Sequence, residues 1–351
     1  MSDGPVVAIY ALDVGQGDCT FVLGADPADG AILFDCNDPY VAERFVIDHG
    51  IQTLHAVVVS HLDRDHIHGL VPFLRWFLDA GRTLKRVYVG WDRDRTKLGR
   101  AACELLEFLF ARKTAHGFEL LAPNRENTPK TVLEAKGWEA SILLPRYDAM
   151  LEQWLDQDDE PNLCSVALRV TCGKSAVLVG GDVPLASWEK AEPNLLPAKA
   201  LRAPHHGGGI RDGSPTWKEA DLYEQVAPEL VVISAGSNNQ HGHPTDEHLL
   251  GIAPEKRRLA CTQITPKCHA DIASLRSEAL RRASRVAYAP YRHRRLAGTT
   301  APARPRNEVP CASSVVIELF EDGRVTCDPE RGGWHDRMID DLRIVGARCR
   351  S

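Results

Sequence analysis

The chain has 351 residues, 44% of them hydrophobic and 26% charged, and a formal net charge of −6. That fits one large soluble α/β domain with appendages; it excludes a disordered chain and any nucleic-acid binding through a global positive field, leaving only a local basic patch for that purpose. No apolar run approaches the roughly 20 residues that span a bilayer. The start, Met1-Ser2-Asp3-Gly4-Pro5, carries no basic stretch and no signal-type apolar core. The expectation is a cytoplasmic protein without membrane contact, its ten cysteines reduced.

In chain order, Val6 to Leu12 is apolar and β-leaning and ends at Asp13-Val14-Gly15-Gln16-Gly17-Asp18. Cys19 to Leu23 and Ala31 to Phe34 read as further strands around a turn-rich Asp26 to Gly30. A short helix, Tyr40 to Asp48, precedes the buried-strand run Ala56 to Val59, which stops at Ser60-His61. Leu70 to Leu78 and Leu98 to Phe110 have helical apolar spacing, with a strand at Val87 to Val89 between them. Ser141 to Leu144, Val166 to Val170, Ala176 to Val179 and Leu230 to Ile233 are strands, and the acidic Asp156 to Glu160 is a solvated loop. After about residue 250 come a strand at Leu259 to Ile264, an amphipathic helix from Asp271 to Ala283, a Pro/Arg-rich segment, and a hairpin of Val315 to Phe320 and Arg324 to Cys327. There is no fixed-period repeat, and the intermixed order argues α/β.

His61, Asp63, Asp65 and His66 fall in one short loop directly after a buried strand. Divalent cations take imidazole nitrogen and carboxylate oxygen, and a tight turn can aim alternate side chains into one pocket. Gly180-Gly181-Asp182, Pro204-His205-His206-Gly207 and the stretch carrying His241 and His243 end three further strands. Each of these alone is also a common turn or surface loop. Four strand ends bearing ligand-type residues together predict a site at one edge of a sheet.

These motifs, in this order, resemble the metallo-β-lactamase superfamily, and most closely the soluble hydrolase domain of the ComEC family of DNA-uptake proteins. The motifs are Asp13 to Asp18, H-x-D-x-D-H followed by Gly69, Gly181-Asp182, Pro204 to Gly207, and Gly242-His243-Pro244, and they span about residues 6 to 265. The resemblance implies a four-layer αββα sandwich with a C-terminal extension. Residues 1–265 would form the hydrolase domain. Residues 266–351 would add a helix, an Arg/Pro-rich loop and a β-hairpin packed on it. The resemblance also implies two divalent ions, zinc or manganese. His61 and Asp63 would hold one, Asp65 and His66 the other, Asp182 would bridge, and His205 and His243 would complete the shell. Whether His205 or His206 points inward stays open. Asp13 would brace the metal loop by hydrogen bonding. Asn162 and Ser165 match a family element near the site. The second histidine of the superfamily's usual H-x-H-x-D-H is here Asp63, which tilts preference toward harder ions without excluding zinc. Four further departures line the presumed substrate side: Gly208 for a usual Ser, Arg202 for Lys, His241 for Tyr, and His68 for a small residue.

The chemistry expected is hydrolysis by a metal-bridged hydroxide. Asp65 would orient the hydroxide. A non-ligand histidine, His206 or one of His241 and His243, would protonate the leaving group, and Arg202 would neutralise a phosphate oxygen. Arg281 to Arg306 contains no Asp or Glu and interleaves Tyr288 and Tyr291 with arginines. Such a segment is either a nucleic-acid or nucleotide binding patch or a solvated loop. A phosphodiesterase, and specifically a nuclease, is the leading expectation. The alternatives are a small-molecule ester, lactone or cyclic-nucleotide hydrolase and a catalytically silent regulatory module. Cys261, Cys268, His269 and Cys311 flank the arginine segment and are either a structural zinc site or buried thiols.

Overall fold

The computed structural model of the protein describes residues 4–90, 98–123, 129–148, 161–211, 214, 216–283, 308–344, 347 and 349. Its strands form two mixed sheets. The first holds β1 (Val7–Ala11), β2 (Cys19–Gly24), β3 (Ala31–Cys36), β4 (Thr53–Val59), β5 (Thr83–Val89), β6 (Glu119–Leu121), β14 (Val315–Leu319) and β15 (Val325–Asp328). Their spatial order is β15-β14-β1-β2-β3-β4-β5-β6. The second holds β7 (Lys130–Ala135), β8 (Trp138–Leu144), β9 (Ala167–Cys172), β10 (Ser175–Val179), β11 (Ala200–Arg202), β12 (Leu230–Ile233) and β13 (Arg258–Cys261), ordered β13 to β7 without a break.

Both faces of the central strands are covered, which is why they read as unbroken apolar runs. Along β1, Val7, Ile9 and Ala11 face the second sheet, while Ala8 and Tyr10 face helices. Along β4, Ala56 and Val58 point between the sheets and Val57 and Val59 point outward. The outward face of the first sheet packs on α1 (Pro39–Asp48), α3 (Leu70–Asp79) and α4 (Arg100–His116), through Val41, Phe45, Phe73, Phe77 and Leu105. Between α1 and α3 lies the one-turn α2 (Arg64–Ile67). The second sheet's outer face is covered by α5 (Leu185–Glu189), α6 (Glu219–Val226) and α7 (Asp246–Ile252), through Trp188, Leu222, Tyr223 and Ile252. The result is four layers, α, β, β, α. Three of them were legible in their longer elements; the outer layer of the second sheet was not, because α5 to α7, like β6, β7 and β11, are too short or too polar to show a period.

The C-terminal hairpin joins the first sheet: β14 runs antiparallel to β1, with Ile317 opposite Ile9. α8 (Ile272–Ala283) and a further helix, α9 (Trp334–Asp341), close a small apolar cluster with Ile264, Val309, Cys311, Met338 and Ile339. Among the described residues no helix is long and apolar enough to cross a membrane. The acidic stretch 156–160 lies outside the described residues, as does the arginine-rich segment beyond the last turn of α8.

Candidate metal centre

Strands β10, β11, β12 and β13 run parallel to one another, as do β3, β4 and β5. The predicted ligands follow the C-terminal ends of β4, β10, β11 and β12, so both sheets deliver them to the same rim. The loop after β4 is held from behind by Asp35. Its carboxylate accepts from the Ser60 amide at 2.8 Å, the Ser60 hydroxyl at 2.6 Å and His66 Nδ1 at 2.7 Å. From the front, the Asp18 amide donates to the Asp65 carbonyl at 3.1 Å. Gly17 permits this approach: its φ is +129°, and a Cβ there would lie 2.4 Å from the Asp65 carbonyl oxygen.

The hydrogen bonds set the tautomers of the histidines. A carbonyl or carboxylate can only accept, so a ring nitrogen beside one carries the proton. His66 Nδ1 donates to Asp35. His206 Nδ1 faces the Ser234 carbonyl at 3.0 Å and Asp18 at 3.1 Å. His205 Nδ1 faces the Gly209 carbonyl at 2.8 Å. The Ser60 hydroxyl has given its proton to Asp35, so at 3.0 Å it accepts from His61 Nδ1. All four rings therefore present a bare Nε2, and all four Nε2 atoms converge on Asp182. Its Oδ1 lies 3.2 Å from His66 and 4.0 Å from His206; its Oδ2 lies 3.7 Å from His61 and 3.8 Å from His205. Asp63 stands 3.7 Å from His61, and Asp65 3.3 Å from His206.

Such an arrangement requires positive charge at its centre. The Nε2 atoms of His66 and His206 are 3.2 Å apart, lone pair to lone pair, and His61 Nε2 and Asp182 Oδ1 are buried without a hydrogen-bond partner. Without a cation, protons take its place. Burial pulls His66 down, but the Asp182 and Asp35 carboxylates outweigh it and raise its pKa well above the usual value. Burial opposes ionisation of Asp182 too, yet His66, His61 and His206 hold it well below the carboxylate range. The donor set of imidazoles and carboxylates fits divalent ions such as zinc or manganese.

Several expectations are corrected here. Arg202, expected at the substrate, is 2% exposed. Both arms of its guanidinium engage Asp18, and its Nε donates to the Ser234 hydroxyl at 3.3 Å. It neutralises Asp18, which in turn orients His206. His206, expected as a proton donor, has neither ring nitrogen open to a leaving group. The choice between His205 and His206 dissolves, since both face Asp182. Asp13 accepts from the Gly15 amide at 3.3 Å and from Gln263 Nε2 at 2.7 Å. Asp18 and Asp35 do the bracing, and neither was singled out by its sequence context. Ser165 accepts from the Asp182 amide at 2.9 Å, while Asn162 Oδ1 is buried without a partner.

His243 stands against His205, ring centroids 5.0 Å apart, with Nδ1 buried and unpartnered. Burial and the neighbouring histidines push its pKa down to about 4. Asn239 clamps its backbone, accepting from the His243 amide at 2.7 Å and donating to its carbonyl at 2.8 Å. The ring fills the space beside Gly208, where a Cβ would come within 2.5 Å of it. His241 and His68 are exposed at the rim.

Two four-stranded-or-larger sheets face to face, helices outside each, and an H-x-D-x-D-H loop at the rim decide the architecture. The fold is a four-layer αββα sandwich. No family model matches the chain. ComE operon protein 3 of Bacillus subtilis is 25% identical over 255 residues, covering 66% of this chain and 29% of that protein; the chain thus spans under a third of that relative's length. Among solved structures, the metallo-β-lactamase fold protein YhfI from Bacillus subtilis is 13% identical, with a TM-score of 0.43, covering 73% of this chain and 95% of its own. A diphosphatase from the PhnP family is 16% identical (TM-score 0.39, 72% and 94% covered). Zn(2+)-bound PqqB from Methylobacterium extorquens is 12% identical (TM-score 0.43, 73% and 97% covered).

Proposed function

We propose that the protein is a metal-dependent hydrolase of phosphodiesters, with a nucleic acid or nucleotide as substrate. The observation that carries the metal dependence is the convergence of four bare Nε2 atoms on the two oxygens of Asp182. His61, His205 and Asp63, on the Oδ2 side, would hold one divalent ion. His66, His206 and Asp65, on the Oδ1 side, would hold the other, with Asp182 shared. When bound, the ions supply Lewis acidity and lower the pKa of water toward neutrality.

The protein's own groups do the rest. Asp35 and Asp18 fix the His66 and His206 rings, so their Nε2 lone pairs stay aimed inward. Asp65, 34% exposed on its side chain and held well below the carboxylate range by His206 and His66 against the opposing effect of burial, remains an anion that can accept a proton from water. Burial and its histidine neighbours keep His243 neutral at pH 7; His241, exposed beside it with ring centroids 5.6 Å apart, is the imidazole placed at the rim to meet the leaving oxygen. Phosphodiesters are preferred on two grounds. The first acidic residue of the loop, Asp63, suits harder ions than histidine does, and the motifs from Asp13 to Pro244 resemble those of the ComEC family of DNA-uptake proteins.

The test is a cleavage screen of the manganese- or zinc-loaded protein against single- and double-stranded DNA, RNA and bis-p-nitrophenyl phosphate. Cleavage of at least one, lost on chelation, is expected. Inertness toward all four by metal-loaded wild type overturns the phosphodiester reading.

A further inference from the structure

A second cluster of ligand-type side chains, this one rich in thiols, borders the C-terminal end of the edge strand β13, where the Cys311 amide donates to the Thr262 carbonyl at 3.0 Å. Cys311, His335 and Cys349 each offer one ligand atom, and the three atoms lie within 4.8 Å of one another. Cys311 and His335 are buried, and Cys349 is partly buried. Cys311 Sγ is 3.2 Å from His335 Nε2. On the far side of that ring, Nδ1 faces Asp336 Oδ1 at 3.1 Å. A carboxylate accepts only, so Nδ1 carries the proton and Nε2 presents its lone pair to the thiols. With Nδ1 on the carboxylate and Nε2 turned to the thiols, and in the absence of a cation a proton drawn to Nε2 in its place, this is the carboxylate–histidine pairing that orients a metal-bound imidazole. Asp336 is itself held by the Gly332 amide.

Two more thiols border the cluster. Cys261 ends β13, and its carbonyl accepts from the Ala312 amide at 2.8 Å, directly beside Cys311. Cys268 packs on the same small apolar core as Cys311 and Cys349. A hydrogen bond with Cys349 and burial hold the Cys311 thiol well above its ordinary value, and the closeness of Cys261 and Cys268 adds to it. Four thiols and one imidazole packed among apolar side chains, with no carboxylate in the cluster itself, make a soft donor set.

We propose that Cys311, His335 and Cys349, with a thiol from Cys261 or Cys268 in the fourth position, bind a structural zinc ion. Zinc takes thiolate and imidazole in tetrahedral sets, and four protein ligands leave no position for substrate. The ion would tie together the end of β13, the segment before β14, α9 and residue 349. These pieces flank the 284–307 stretch and include Gln263, which holds Asp13. His269, expected from sequence to join such a site, is in no ligand cluster among the described residues; its place is taken by His335.

The experiment uses the full chain carrying His61→Ala and Asp182→Asn, so that the first centre no longer retains metal. Elemental analysis after gentle purification is expected to give about one zinc per chain. The metal should be released stoichiometrically by an organomercurial that titrates thiols. Cobalt substitution of the same variant should produce intense thiolate-to-cobalt charge-transfer absorption. Adding Cys311→Ser should abolish both signals, and the cobalt spectrum stands even if that triple variant fails to fold. Zinc far below one per chain, a cobalt spectrum without sulfur charge transfer, or a Cys311–Cys349 disulfide found by mass spectrometry in freshly purified protein would each overturn the proposal. Hydrolytic activity plays no part in the readout, so this result is independent of the function assigned to the first centre.

Discussion

The two ligand clusters differ in kind. At the rim of the sandwich, imidazoles and carboxylates converge from loops of both sheets, and Asp63 and His205 reach toward solvent. In the C-terminal cluster, thiols and one imidazole close on each other inside a small apolar core. Imidazoles and carboxylates with an open side suit an ion that must meet substrate; soft donors largely buried among apolar side chains suit one that only holds chain segments together. One chain thereby separates its chemistry from its clasp by donor type as well as by position.

The contrast is most sharply tested at Asp182. Asp182→Asn should lower turnover of bis-p-nitrophenyl phosphate on the order of 10³-fold or more, because a shared anionic ligand is lost. The thiol-titratable zinc should be untouched; a parallel loss of both metals would break the separation. Next comes the Asp18–Arg202 pair, buried on both sides. Arg202→Met leaves the Asp18 charge uncompensated and should cost about 3–5 kcal/mol in urea unfolding. The double variant Asp18→Asn with Arg202→Met should recover part of it. If Arg202→Met instead folds with full stability and only raises KM, Arg202 meets the substrate after all.

A pH effect of comparable size is expected from His248. Tyr223 donates to its Nε2 at 2.5 Å, and its Nδ1 donates to the Gly208 carbonyl at 2.6 Å, so the ring is neutral and its pKa is pushed down to about 4, chiefly by burial. Between pH 6.5 and 4 the unfolded chain binds a proton that the folded one refuses. Stability should therefore fall by about 3 kcal/mol as pH drops across that window. Urea midpoints at several pH values check this, with His248→Gln flattening the decline. The smallest effect expected is at Gly208. Gly208→Ser places a Cβ against the His243 ring and should cost about 1–3 kcal/mol through overpacking. Activity should fall with it while zinc at the thiol cluster stays; unchanged activity would remove His243 from the working site.

What could be read from residues alone was what is local. His61 to His66 after an apolar strand stand out within a few positions, whereas Asp182 after Gly-Gly stands out only in the company of the other strand ends. Asp35 and Asp18 do not, because their roles depend on partners far along the chain: Ser60 and His66 for one, Arg202 and His206 for the other. Arg202 was assigned to substrate on its type and position, but burial is set by the whole second sheet. The thiol cluster was half visible. Cys261, Cys268 and Cys311 lie near one another in the pattern of elements, whereas His335 lies in α9 and Cys349 follows it, and α9 carries too few apolar residues to be anticipated. The hairpin of β14 and β15 was found from its alternation and its Asp322-Gly323 turn, but its docking beside β1 was not, since pairing between distant strands leaves no local mark.

The Asp18–Arg202 ion pair joins a turn of the first sheet to a strand of the second. The residues proposed to hold the ions divide the same way: His61, Asp63, Asp65 and His66 come from one half of the chain, and Asp182, His205 and His206 from the other. Neither half can assemble a binding pocket by itself, and closing contacts this distant in sequence is slow. Metal uptake during refolding should therefore report the moment the two halves dock, making the ion a clock for the last step of folding.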